Sequence, residues 1–157
     1  MKGPLFFPLV FLLLTAPAGG ATSGEVLVEF NRAGGIAGIH EQLRVYVDGS
    51  VRLERWFGPT GRESFCARLE RAQLEGLQRA LEAAGFDHLK AEYLPNYPVY
   101  DGFTYWITYR GYTVRTQDPL EGTIPESLHS VISLLLKVSW DVLEQKRSCP
   151  QGIYLGR

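Results

Sequence analysis

Cysteine is scarce in this sequence: only two occur in 157 residues. Two thiols cannot build a disulfide-dense small scaffold or a four-thiolate zinc site. An excess of charge of one sign is lacking as well. Sixteen Lys+Arg stand against 17 Asp+Glu, a net charge of −1, and this balance leaves no electrostatic footprint for DNA or RNA. Beyond the first twenty residues there is no long apolar run of the about 20 residues that a membrane-spanning helix needs. The 21% charged and 12% aromatic fractions exclude a disordered acidic or basic tail protein. What remains is one ordinary domain with a real core.

Motifs for catalysis are missing too. His40, His88 and His129 form no pair three to five residues apart, and none stands beside a cysteine at zinc spacing. No Gly-x-Ser-x-Gly elbow occurs, and Cys66 belongs to no cysteine–histidine signature. The block Gly34-Gly35-Ile36-Ala37-Gly38 lacks the Lys-Ser/Thr ending of a phosphate loop and precedes a strand pattern, not a helix. Asp118 and Glu121 read as carboxylates of a solvated loop. The sequence therefore predicts no enzyme, with no catalytic residue, no resident metal and no cofactor.

The amino terminus reads as an address. Lys2 supplies positive charge, Leu5 to Leu14 form a short apolar run, and Ala16-Pro17-Ala18 followed by Gly19-Gly20-Ala21 gives small residues for cleavage after Ala18 or Ala21. Residues 1–21 are thus expected to be a secretory signal peptide. The mature chain would then be secreted or periplasmic, with no stable membrane anchor. In an oxidising compartment Cys66 and Cys149 can pair; the other reading is a buried Cys66 and a free Cys149 on a tail.

Within the mature chain, Val26, Val28 and Phe30 alternate as a strand, and Leu43, Val45 and Val47 repeat the pattern after the glycine block. Asp48-Gly49 signals a two-residue hairpin leading to Val51 and Leu53. Ser64 to Leu69 reads as a further short strand. Leu74, Leu77, Leu81 and Ala84 are spaced for a helix that Gly85 stops. Ala91 to Tyr100 is a Tyr/Pro loop, and Phe103 to Tyr109 and Tyr112 to Thr116 make a hairpin across Arg110-Gly111. A second helix begins near Pro125 and ends after Gln145, with Leu128, Val131, Leu135, Val138 and Val142 on one stripe. The resulting fold class is α+β, an antiparallel sheet of about four to five strands in hairpin-helix-hairpin-helix order with two helices on one face. A single domain spans residues 22–145, and residues 146–157 form a partly disordered tail.

Several of these segments resemble a known family. Val28-x-Phe30-x-Arg32-Ala33-Gly34-Gly35-Ile36-Ala37-Gly38 is similar to the strand and glycine loop that open emfourin-type proteins, which are protein inhibitors of thermolysin-like zinc metallopeptidases. Leu74-x-x-Leu77-x-x-x-Leu81-x-x-x-Gly85-Phe86 resembles their central helix. Asp101-Gly102-Phe103-Thr104-Tyr105 resembles a strand entry, and Pro125-Glu126-x-Leu128 the start of their last helix. The order holds over about residues 26 to 143. The signal segment, the stretch from Trp56 to Leu69, the Tyr/Pro loop and the cysteine-bearing tail depart from the family pattern. The resemblance implies a reversible, non-catalytic protein inhibitor that blocks a metallopeptidase cleft with exposed loops, any zinc belonging to the target; with the signal segment, an exported monomer acting on a secreted metallopeptidase is expected. The contact itself is expected from the 32–38 loop, with Arg32, Gly34, Gly35, Ile36 and Gly38, or from Asp101 with its neighbouring Tyr97 and Tyr100. The alternative is a cell-envelope or periplasmic interaction domain that inhibits nothing.

Overall fold

A computed structural model describes residues 24–58 and 60–149. The expected signal segment and tail residues 150–157 lie outside the described residues. The chain runs β1 (Val26–Gly34), β2 (Ile39–Tyr46), β3 (Ser50–Phe57), β4 (Gly61–Arg68), α1 (Arg71–Ala84), β5 (Glu92–Tyr93), β6 (Phe103–Tyr109), β7 (Tyr112–Gln117) and α2 (Glu126–Gln145). The class is α+β with two helices. Among the described residues the sheet has seven strands, in the order β4-β3-β2-β1-β6-β7-β5, where four to five were expected. It is mixed, not purely antiparallel, because β5 runs parallel to β7. Two residues are too short a strand to leave a periodic signal, so β5 was hidden in the Tyr/Pro loop. The chain leaving α1 returns there alongside β7, and Arg115 N donates to Ala91 O at 2.8 Å.

Strand alternation builds the core. Phe65, Leu53, Leu43, Phe30, Ile107 and Val114 are cross-strand partners in one continuous apolar row over six strands. Val51, Val45, Val28 and Tyr109 form the next row. Leu77, Leu81 and Ala84 of α1 and Leu128, Val131, Ile132, Leu135, Val138 and Val142 of α2 join this same buried cluster. Each fully buried aliphatic side chain contributes about 1.5–3 kcal/mol relative to exposure. The opposite sheet face carries Glu29, Asn31, Gln42, Arg44, Arg52, Glu54, Trp106 and Arg115. No helix among the described residues is long and apolar enough to cross a membrane.

Local chemistry sets the ends of the elements. The side chain of Glu70 and that of Gln73 cap each other's backbone at the start of α1, and Gly85 ends it at φ 61°. Arg110 and Gly111 both have positive φ (49° and 82°), as a two-residue hairpin turn requires. The β2–β3 turn differs from the two-residue expectation. Gly49 alone is left-handed (φ 83°) and its N–H donates to Tyr46 O, so Val47 to Gly49 form a three-residue loop.

The edge strand β4 is covered by the chain that follows α2. Lys146 turns in the left-handed region, Cys66 N donates to Arg147 O at 2.9 Å, and Cys149 N donates to Ser64 O at 3.1 Å. A disulfide joins Cys66 to Cys149 across a sequence separation of 83. The fold thus extends past Gln145 to at least Cys149, and the sheet edge is tied down covalently instead of standing free.

Candidate functional site at the loop end of the sheet

Strand directions bring the β1–β2 turn, the β3–β4 turn and the loop between β5 and β6 to one end of the sheet. The glycines of the first turn are there for close approach. Gly34 (φ 127°) is the partner of Phe103, and a Cβ on it would overlap the carbonyl oxygen of Gly102. A Cβ on Gly35 (φ 74°) would come within 2.8 Å of Cζ of Phe103. Gly35 N instead donates to Gly102 O at 3.2 Å, tying the two loops together. Gly38 (φ 57°) faces open space, so only its backbone conformation calls for glycine.

The second loop is held from below. Asp118 Oδ2 accepts from Phe103 N at 2.9 Å and Oδ1 accepts from the Tyr105 hydroxyl at 3.1 Å. Burial, reinforced by the Asp118 charge and this bond, pushes the Tyr105 hydroxyl well above its ordinary pKa. Asp101 sits at φ 62°, and a Cβ on Gly102 would strike Val99 Cγ1 at 2.5 Å. The loop is therefore fixed by backbone shape as much as by contacts.

These two loops carry the two most exposed large apolar groups among the described residues. Ile36 is 90% exposed, Tyr100 85% and Tyr97 54%. With Phe57 and Leu94 they make half of the large exposed apolar side chains among the described residues. Single exposed apolar residues are ordinary; several gathered on one end mark an interaction surface.

Arg32 takes a different part from the other residues singled out in the sequence. Its side chain is only 12% exposed, and its guanidinium is paired with Glu41 and lies 4.7 Å from the ring centre of Phe103. Glu41 also receives Arg55, whose Nε lies 2.6 Å from Oε1. Arg55, Glu41 and Arg32 are cross-strand partners on the helix-facing side, one row beyond the apolar core. Arg32 thus supports the loop from beneath, whereas Gly34, Gly35, Ile36 and Gly38 shape or form its tip. Glu41, Arg55 and Phe57 were missed in the sequence, and Asp118, read there as a solvated loop carboxylate, instead binds the Phe103 amide and the Tyr105 hydroxyl. For Glu41 and Arg55 the signal was present, since each continues the period-two register of the buried residues in its own strand.

Cavities of about 370 and 280 Å³ lie at the other end of the sheet, one between the end of β4 and α2, the other beside Phe86 and Tyr109. His40 packs on Trp56 at 4.8 Å, and His88 lies 3.4 Å from Asp87 on the surface. Among the described residues no group of three or more His, Cys, Asp or Glu side chains is placed to hold a metal ion. The sequence matches no protein-family model and no curated protein.

Proposed function

We propose that this chain is an exported, non-catalytic binding protein that inserts the loop end of its sheet into a cleft of another protein, and that the target is a thermolysin-like zinc metallopeptidase. The observation that carries the reading is the coupling of two protruding loops. Ile36 and Tyr100 stand almost fully in solvent on turns that are bound to each other through Gly35 N and Gly102 O. Loops already held in one conformation lose little freedom on docking, so more of the contact energy appears as affinity. Apolar and tyrosine side chains on such loops give rigid contact area with a polar tip. The choice of target class rests on the resemblance of the Arg32 to Gly38 block and the Asp101 to Tyr105 entry to emfourin-type inhibitors.

Titrating the purified mature protein into a thermolysin-like peptidase assay tests this. Stoichiometric, reversible loss of peptide hydrolysis is expected. Full activity at micromolar protein would remove the peptidase as target.

A further inference from the structure

The face of the sheet that turns away from the helices has a charge pattern that the loop end does not use. Across it lie Arg44, Arg52, Arg62, Arg68 and Arg115 against Glu29, Glu54 and Glu92. This is an excess of two positive charges on one face of a chain whose net charge is −1. Arg44 and Arg52 are direct cross-strand partners, and like charges in that position are destabilising. Arg52 and Arg62 share a single carboxylate oxygen, Glu54 Oε1, at 2.8 Å each. Glu54 is buried while the two arginine side chains stay 39% and 56% exposed. A guanidinium has five N–H donors, so Glu54 orients both groups and leaves most of their donors toward solvent. Arg68, on the same strand as Arg62, spends one donor on Asp48 O.

We infer that this outer face is a second binding surface, and that its ligand is an anionic polysaccharide whose carboxylate or sulfate groups pair with Arg44, Arg52, Arg62 and Arg68. Planar guanidinium forks suit such oxyanions. Beside them Asn31 and Gln42 each give one amide N–H to Glu29 Oε1 and keep a second N–H and a carbonyl oxygen, and the bonded Thr108–Thr113 hydroxyl pair keeps further acceptor capacity, as sugar hydroxyls require. An extended acidic peptide is a poorer match, because its backbone pairs at a sheet edge and not on a face. A single-stranded nucleic acid is also a poorer match. It needs open aromatic faces, whereas Arg62 already lies over Trp56 and Arg115 over Trp106.

The test is binding of the mature protein to polygalacturonate at low and at 0.5 M salt, with dextran, poly-L-glutamate and single-stranded DNA in parallel. Polygalacturonate is expected to bind at least tenfold more tightly than the other three, and to be released by salt. Two variants follow. Arg68→Glu alters an exposed side chain, and the triple Arg52→Gln, Glu54→Gln, Arg62→Gln removes the cluster without leaving a lone charge. Each is expected to weaken binding at least fivefold with the melting temperature recorded on the same material. Absent binding, equal binding of dextran, poly-L-glutamate or DNA, or unchanged binding by folded Arg68→Glu would overturn the inference.

Discussion

Replacing Gly34 by alanine, with Gly38→Ala as its comparison, isolates what holds the two loops together. Both glycines have positive φ, 127° and 57°, so both substitutions force an L-residue into an unfavourable backbone region, at about 1–2 kcal/mol. Only Gly34 adds a collision, since its Cβ would overlap Gly102 O. Relieving it means pushing β1 from β6 where Gly34 pairs with Phe103, and stretching the Gly35 N to Gly102 O bond. Overpacking of this kind costs about 1–3 kcal/mol and the weakened hydrogen bond about 1 more. The expected losses are therefore about 3–6 kcal/mol for Gly34→Ala and about 1–2 kcal/mol for Gly38→Ala. Urea unfolding measures both directly, and in melting experiments about 3–5 °C per kcal/mol is expected for a domain of this size. If the two variants unfolded within 0.5 kcal/mol of each other, the close-approach explanation of the glycine block would be wrong.

Further outcomes follow from the same geometry. Reducing the Cys66–Cys149 bond, or replacing both cysteines by serine, is expected to lower stability by about 4–5 kcal/mol on the chain-entropy relation for a loop of this length, read as a shift in the urea midpoint. Glu41→Gln strands two guanidinium groups that now share one carboxylate, and a loss of about 3–5 kcal/mol is expected; an unchanged midpoint would show that the row is not a stabilising device. Acid sensitivity is expected as well. Burial tends to raise Glu54, but Arg62 and Arg52 outweigh it and hold the carboxyl below the usual range. Burial likewise opposes Asn31, Arg44 and Gln42 at Glu29, with the same net lowering. A group with a depressed folded pKa stabilises above its unfolded value, near 4.5 for these glutamates, and that contribution is lost as pH falls through the folded value. The urea midpoint should therefore drop below about pH 4.5, and Glu54→Gln should flatten that drop.

Much of the fold was legible because local signals were strong. The Phe103–Tyr112 hairpin shows itself by strict alternation around Arg110-Gly111, and α1 by leucine spacing ended at Gly85. β4 was legible only in part, since inward positions there carry Glu63 as well as Phe65 and Ala67. The starting point of β2 was misplaced to Leu43 because the apolar alternation begins there, although Glu41 continues its register toward β1. At the candidate site, sequence reasoning found the loops but not their support. Arg32 follows Val28 and Phe30 in the same register, so its side chain points to the helix-facing side, and only the partner strand reveals Glu41 beneath it. Asp118 is 15 residues from the Phe103 amide it receives, a distance over which spacing carries no information.

The most direct test of the account compares the mature protein with its Ile36→Asp, Tyr100→Ser double variant in one inhibition titration of a thermolysin-like peptidase, with melting recorded on both. Both side chains are exposed, so stability should stay within about 0.5 kcal/mol per change. At least a hundredfold loss of inhibitory potency is expected at an unchanged melting temperature. Equal potency in the two proteins would contradict the assignment of the loop end as the contact surface.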